Sequence, residues 1–232
     1  TLSASISPTT TTATPGHVGQ ELTVTGTGFL PNAAISLSFG TSRIASTTSS
    51  DTGAFTVSFD APAVAAGNHI ITVTDGTNTR NFTFVMEDEA PDAPVLTAPT
   101  IAEKPDQPVT FEWEDVTDDS GVTYRLEVAV DSSFSTFILT KEDLTTSSYT
   151  ATEEEKLPSV SSDEPYFWRV IATDGAGNQG EPAEAESFVV GFSFGDLIPD
   201  DIPMWAWIVI GVFAVVIIGG VAYYFWQRAY TY

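Results

Sequence analysis

Along the first 190 positions apolar side chains fall in short alternating runs, broken by Gly, Pro, Asn and Asp. That is the pattern of antiparallel strands joined by tight turns. The runs predict strands over 2–7, 21–26, 34–39, 54–59, 69–74 and 79–85. Leu22 and Val24, and again Phe55, Val57 and Phe59, place every second side chain toward a shared core. Asp75-Gly76-Thr77-Asn78 has the chemistry of a hairpin turn, with Gly76 free to take positive φ. Six or seven strands at this spacing predict a β-sandwich over 1–86. A second β pattern covers 95–190. Phe111 and Trp113 open it, Tyr124, Leu126, Val128 and Val130 alternate in one strand, Tyr166, Trp168, Val170 and Ala172 in another, and Phe188 and Val190 close it. Between them, 87–94 (Glu-Asp-Glu-Ala-Pro-Asp-Ala-Pro) disfavours helix and predicts a short, stiff spacer that sets the two domains end to end.

The periodicity then vanishes. Residues 204–226 carry no charge and almost no hydrogen-bonding side chain. As a helix they cover roughly 34 Å at about 1.5 Å per residue, enough for a hydrocarbon core of about 30 Å. Trp205 and Trp207 at one end and Tyr223, Tyr224 and Trp226 at the other are placed for the two membrane interfaces. Asp196, Asp200 and Asp201 precede the span and Arg228 follows it, so positive-inside reasoning puts the C-terminus in the cytoplasm and the larger part outside. The connector 191–203, with Pro199 and Pro203, is short. It predicts a second domain close to the membrane, with Phe192, Phe194, Leu197 and Ile198 packing on that domain or dipping into the interface. Residues 227–232 form a short cytoplasmic tail.

Two stretches resemble known families. Residues 19–29 (Gly-Gln-Glu-Leu-Thr-Val-Thr-Gly-Thr-Gly-Phe), followed by Pro31-Asn32-Ala33 and a strand ending at Phe39-Gly40, resemble the opening of an IPT/TIG-type immunoglobulin-like domain. The resemblance implies a tight bend at Gly26-Thr27-Gly28 with Phe29 turned into the core. Trp113 on an early strand, together with the Tyr-x-Trp-x-Val-x-Ala run that leads to Asp174-Gly175-Ala176-Gly177-Asn178, resembles a fibronectin type III domain. This second resemblance implies that Tyr166 is a corner tyrosine preceded by a core leucine, Leu157. Here the gap is nine residues rather than the family's usual six, which puts the corner bond in question. The fold class expected is therefore mainly β: two tandem immunoglobulin-like β-sandwiches plus one C-terminal transmembrane α-helix.

Charge narrows the partners. The chain carries 31 acids against 8 Lys and Arg, a net charge of −23. Only Glu21, Asp51, Asp60 and Asp75 precede Glu87, so the acidity belongs to 87–201. Such a surface repels nucleic acid and anionic lipid. Cysteine is absent, so the cores must suffice without disulfides. No targeting signal precedes Thr1, which predicts a processed form or a piece of a longer protein.

No catalytic constellation emerges. His17 and His69 have no metal-type cluster around them, and no serine lies in a Gly-x-Ser-x-Gly elbow. Gly26-Thr27-Gly28 is not followed by a helical pattern that could hold a phosphate. No organic cofactor is expected. Calcium is the one metal worth weighing: Asp115, Asp118 and Asp119 crowd one loop, Asp174 and Asn178 another, and in a sandwich both emerge at the same end. Solvated turns are the competing reading. Asn81-Phe82-Thr83 fits the N-glycosylation acceptor pattern, and Thr9 to Thr12 offer hydroxyls for O-linked sugar. In the span, Gly211, Val215, Gly219 and Ala222 share one helical stripe where a second helix can approach closely.

These features imply a non-catalytic single-pass protein of the cell membrane, its extracytoplasmic sandwiches meeting protein partners in structural, adhesive or binding roles. The alternative is an accessory subunit of a larger membrane complex, its helix packed on an integral partner and its domains bracing the outer face.

Overall fold

A computed structural model of the chain describes residues 1–100, 104–160 and 164–191. Fourteen strands and one short 3₁₀ turn, Glu153–Glu155, account for its regular structure. The first seven strands are β1 (Ser3–Ser7), β2 (Glu21–Thr27), β3 (Ala34–Phe39), β4 (Ser42–Thr48), β5 (Phe55–Asp60), β6 (Gly67–Thr74) and β7 (Thr79–Met86). The next seven are β8 (Leu96–Ala98), β9 (Thr110–Trp113), β10 (Val122–Ala129), β11 (Phe137–Leu144), β12 (Ser148–Thr150), β13 (Tyr166–Asp174) and β14 (Glu186–Phe188).

The same strand order occurs twice. In the first half β1-β2-β5 form one sheet and β4-β3-β6-β7 the other; in the second half β8-β9-β12 face β11-β10-β13-β14. Counting within each half, strands one, two and five always pair, opposite four, three, six and seven. Two mainly antiparallel β-sandwiches result, and both belong to one compact unit, Thr1–Val190.

Alternation decides which side chains fill them. Leu22 and Val24 are fully buried from β2, Ile35 and Leu37 from β3, and Ile71 and Val73 from β6. Apart from Glu21 and Asp60, the outward positions of β1, β2 and β5 are hydroxyls, and Ser5 meets Thr25 at 2.8 Å and Thr23 meets Ser58 at 2.8 Å. In the second sandwich Trp168 is fully buried, meets Phe111 in a tilted ring contact at 5.2 Å, and donates its indole N–H to the Pro99 carbonyl at 2.9 Å. An indole buried with its one donor satisfied adds a large apolar area at little polar cost. Tyr166 is also buried, and its hydroxyl donates to the Pro158 carbonyl at 3.0 Å, so the longer loop after Leu157 still delivers a backbone acceptor to it.

Strands β4, β8, β11 and β12 were not anticipated from alternation. β4 reads Ser-Arg-Ile-Ala-Ser-Thr-Thr and is an edge strand with no fully buried side chain. β11 pairs on one side only, through two register shifts. Among the described residues no helix is long and apolar enough to cross a membrane. The expected span 204–226, with its interface aromatics Trp205, Trp207, Tyr223, Tyr224 and Trp226 and its stripe of Gly211, Val215, Gly219 and Ala222, lies outside the described residues. So do Phe192, Phe194, Leu197 and Ile198.

The turns show where glycine is required. Gly28 takes φ 76° in the bend that turns Phe29 inward, where it meets the Phe55 ring edge-on at 5.1 Å. Gly53 takes φ 75°, and a Cβ there would collide with the Phe29 carbonyl. Left-handed backbone at a non-glycine residue costs on the order of 1–3 kcal/mol before any collision. Gly53→Ala is therefore expected to lower stability by more than Gly40→Ala, whose φ is 58° but whose Cβ would meet open space. Urea unfolding checks this: the Gly53→Ala midpoint should fall further, with the slope unchanged.

Candidate functional site

The two sandwiches meet at a polar joint assembled from four separate stretches of chain, 16–18 and 85–87 of the first and 118–120 and 174–178 of the second. Gly16 bridges in parallel to Met86, at the end of β7. The Gly16 amide donates to the Val85 carbonyl at 2.8 Å, and the Glu87 amide donates to the Gly16 carbonyl at 2.9 Å. Glu87 thus continues the strand, and its backbone is held before its side chain crosses to the second sandwich. There Oε1 accepts from Ser120 Oγ at 2.6 Å, and Oε2 accepts from Asn178 Nδ2 at 3.1 Å. Ser120 Oγ also accepts from the Val18 amide at 3.1 Å, so one hydroxyl ties both halves.

The remaining two stretches are loops at one end of the second sandwich. Asp118 sits in the turn before β10, and its Oδ1 accepts from the Ser120 amide at 2.7 Å. Asp174 ends β13 and is buried; its Oδ1 accepts from the Asn178 amide at 2.7 Å and its Oδ2 from Asn178 Nδ2 at 2.8 Å. Gly175 follows because a side chain there would press on the Ser120 carbonyl. Next, Ala176 packs with Leu22, Phe39, Ala61, Ile71, Phe84 and Met86, a core cluster of the first sandwich.

Carboxylate oxygens of Glu87, Asp118 and Asp174 lie within 4.8 Å of one another. The ion pairs of the described residues are elsewhere, joining Arg125 and Arg169 to Glu127, Lys141 to Glu155 and Lys156 to Glu153. Burial pushes the Glu87 carboxyl up from its ordinary value, the hydrogen bond from Ser120 pulls the other way, and the charges of Asp174 and Asp118 add to the upward push. Three close carboxylates are relieved either by retaining a proton or by taking a cation. A cavity of about 460 Å³, lined by His17, Glu87, Glu89, Asp118 and Asp119 among others, opens beside them.

Hard oxygen donors from three segments suit calcium, which takes six to eight oxygens. Glu87, Asp118 and Asp174 would supply carboxylates. Asn178 now points its amide nitrogen at two of them, so it would have to turn to offer its oxygen instead.

Of the five positions singled out from sequence, Asp118, Asp174 and Asn178 come together, Asp119 lines the cavity, and Asp115 is exposed and outside the cluster. Glu87 and Ser120 were missed. Glu87 stands first in an acidic run that reads as spacer; the available signal was its place directly after an alternating strand. Asn81 is exposed on β7, paired with Thr72. His17 Nδ1 lies 3.0 Å from the Val18 carbonyl and His69 Nε2 2.7 Å from that of Ala65.

A glutamate whose folded-state value is raised stabilises the fold while protonated, and that contribution is lost as pH rises through the raised value. At neutral pH and without divalent ions, Glu87→Gln is expected to raise Tm by roughly 2–4 °C, the size of shift that about 1 kcal/mol gives at this chain length. Added calcium should raise the Tm of the native protein and not that of Glu87→Gln. Thermal scans from acid to neutral pH, with chelator and with calcium, check both.

No protein-family model matches the chain, and no curated protein matches it. Solved structures do match. The chain is similar to a biofilm associated protein BSP domain at 15% identity, covering 74% of this chain and 28% of that one, with a TM-score of 0.26. It is similar to Escherichia coli alpha-2-macroglobulin activated by porcine elastase at 15% identity, covering 82% and 20%, with a TM-score of 0.27. A third is the C-terminal 282-residue fragment of intimin, in complex with the intimin-binding domain of the translocated intimin receptor, at 10% identity, covering 82% and 64%, with a TM-score of 0.26. The chain thus spans 28% and 20% of the first two matched chains.

Proposed function

We propose that this chain is a non-catalytic, single-pass surface protein, anchored by 204–226, whose paired sandwiches are a stiff extracytoplasmic module for structural, adhesive or protein-binding contact. The observation that carries this reading is the joint. Glu87 bonds to Ser120 and Asn178, Val18 bonds to Ser120, and Ala176 enters the first core, so the two sandwiches present a continuous surface with a fixed mutual orientation. A surface of fixed shape loses little conformational entropy when it meets a partner.

Within this reading the first sandwich is of the IPT/TIG type and the second of the fibronectin type III type. Phe29 in the core after the bend at Gly28, one step past the end of β2, supports the first, and the Tyr166 bond to Pro158 supports the second. Calcium at Glu87, Asp118 and Asp174 would serve as a brace of the joint, with no catalytic part. The dense acidity of 87–201 supports a protein partner with a basic face rather than nucleic acid.

Fractionation tests the anchor and the role together. The full chain is expected to leave membranes only with detergent, while a chain lacking 204–232 is released by salt. Protease added to intact cells should cut the acidic portion. A truncated chain that still sediments with membranes, or an acidic portion shielded in cells and cut once they are opened, would overturn the reading. If a large integral protein co-purifies and is lost with Gly211→Leu and Gly219→Leu, the chain is an accessory subunit.

A further inference from the structure

The second sandwich has two unlike ends, and strand register says which residues share each. At the joint end Val122 of β10 faces Asp174 of β13. Seven residues along, Ala129 faces both Phe167 of β13 and Phe137 of β11, and Tyr166 faces Phe188 of β14. Val130, Phe137 and Val190 therefore share the opposite end, roughly 24 Å from the joint at about 3.4 Å per residue.

That end is oily. Of the six large apolar side chains that the described residues leave well exposed, Val130 (47%), Phe137 (46%) and Ile138 (40%) are grouped there. The other three are scattered: Leu30 and Ile70 on the first sandwich and Val95 just after the spacer. A cavity of about 600 Å³ opens at the same end, with Val130, Val160, Pro165, Tyr166 and Phe167 in its wall. Asp131, next to Val130, has its carboxylate taken up by Ser133, Ser135 and Thr136. Those neutral donors hold the carboxylate ionised, so the tip carries a fixed negative charge beside Val130.

The chain also leaves the sandwich at this end. The Val160 amide donates to the Val190 carbonyl at 3.0 Å, closing the last strand. Beyond it, residues 191–203 can reach at most roughly 45 Å before the uncharged run 204–226 begins. Any bilayer that holds that run lies within a tether's length of the exposed apolar group.

We propose that this end is a lipid-facing surface, with Val130, Phe137 and Ile138 seated at the boundary between headgroups and acyl chains. The proposal rests on the anchor reading above. Three side chains fall well short of the roughly 1,000 Å² that a stable protein interface buries, which argues against a second protein or a second copy as the occupant. A tethered surface needs far less, because the tether replaces free diffusion with a high effective concentration. Exposed Glu164 at the same end favours a zwitterionic lipid over an anionic one.

The absence of cysteine makes the test clean, since one introduced thiol is the only one. The full chain is placed in phosphatidylcholine nanodiscs, with and without brominated acyl chains, carrying an NBD label at Val130→Cys, Ile138→Cys, Thr56→Cys or Val215→Cys. Labels at 130 and 138 are expected to be blue-shifted and quenched by bromine at least twofold more than the exposed Thr56→Cys control, with 215 quenched most. Phe137→Asp in the Ile138→Cys chain should lower that quenching at least twofold. Labels at 130 and 138 that follow position 56 while 215 is quenched would leave the anchor standing and overturn the lipid-facing end. A blue shift without bromine quenching would mean that protein covers the site, which also overturns it. An unquenched label at 215 removes the anchor, and this inference with it.

Discussion

Repulsion among three carboxylates is the constraint on which the paired arrangement turns. Glu87, Asp118 and Asp174 come from a strand end and two loops, and nothing local obliges them to meet. They are held by neutral donors: Ser120 Oγ and Asn178 Nδ2 bond to Glu87, and Asn178 also bonds to Asp174. Hydrogen bonds to charged acceptors contribute about 1.5–3 kcal/mol each, which is enough to oppose the repulsion but leaves the joint sensitive to what neutralises it. The apolar contact of Ala176 acts alongside and is indifferent to charge. The joint therefore combines a charged part, held by neutral donors, with an apolar part that carries no charge.

The central strands were legible because burial on one face imposes a period of two. Leu22 and Val24, or Trp168 and Val170, leave little doubt about which way a strand faces. Edge strands obey a weaker rule. β4 and β11 have one neighbour each, and β8 and β12 are only three residues long, so their composition is set by solvent as much as by core. The doubled strand order has no counterpart in any repeat of residues along the chain. Packing geometry recurs where sequence does not, since many sets of apolar side chains fill a sandwich of the same volume.

The site was half legible for a related reason. Asp118, Asp174 and Asn178 stood in loops whose common end follows from sandwich topology. Glu87 belongs to the other sandwich, and pairing it with them requires knowing how two domains dock, which no local pattern encodes. Its neighbours Asp88 and Glu89 disguise it as one more solvated acid. What separates it from them is the backbone bond to Gly16, a contact 71 positions away in sequence. The two faces of the molecule differ in kind as well: hydroxyl pairs such as Ser5 with Thr25 cover the first sandwich, and acids gather on the second. Each half thus offers a partner a different chemistry on a common frame.

Ala176 also bears on the order of events during synthesis. The last strand of the first sandwich ends at Met86, yet one wall of its core is finished by a residue ninety positions later. At about 5–20 residues per second, the ribosome delivers that piece several seconds after the seven strands it completes. In the interval the nascent half has its cluster of Leu22, Phe84 and Met86 without the Ala176 methyl that packs on it. A protein divided at the 87–94 spacer would lack that methyl for good.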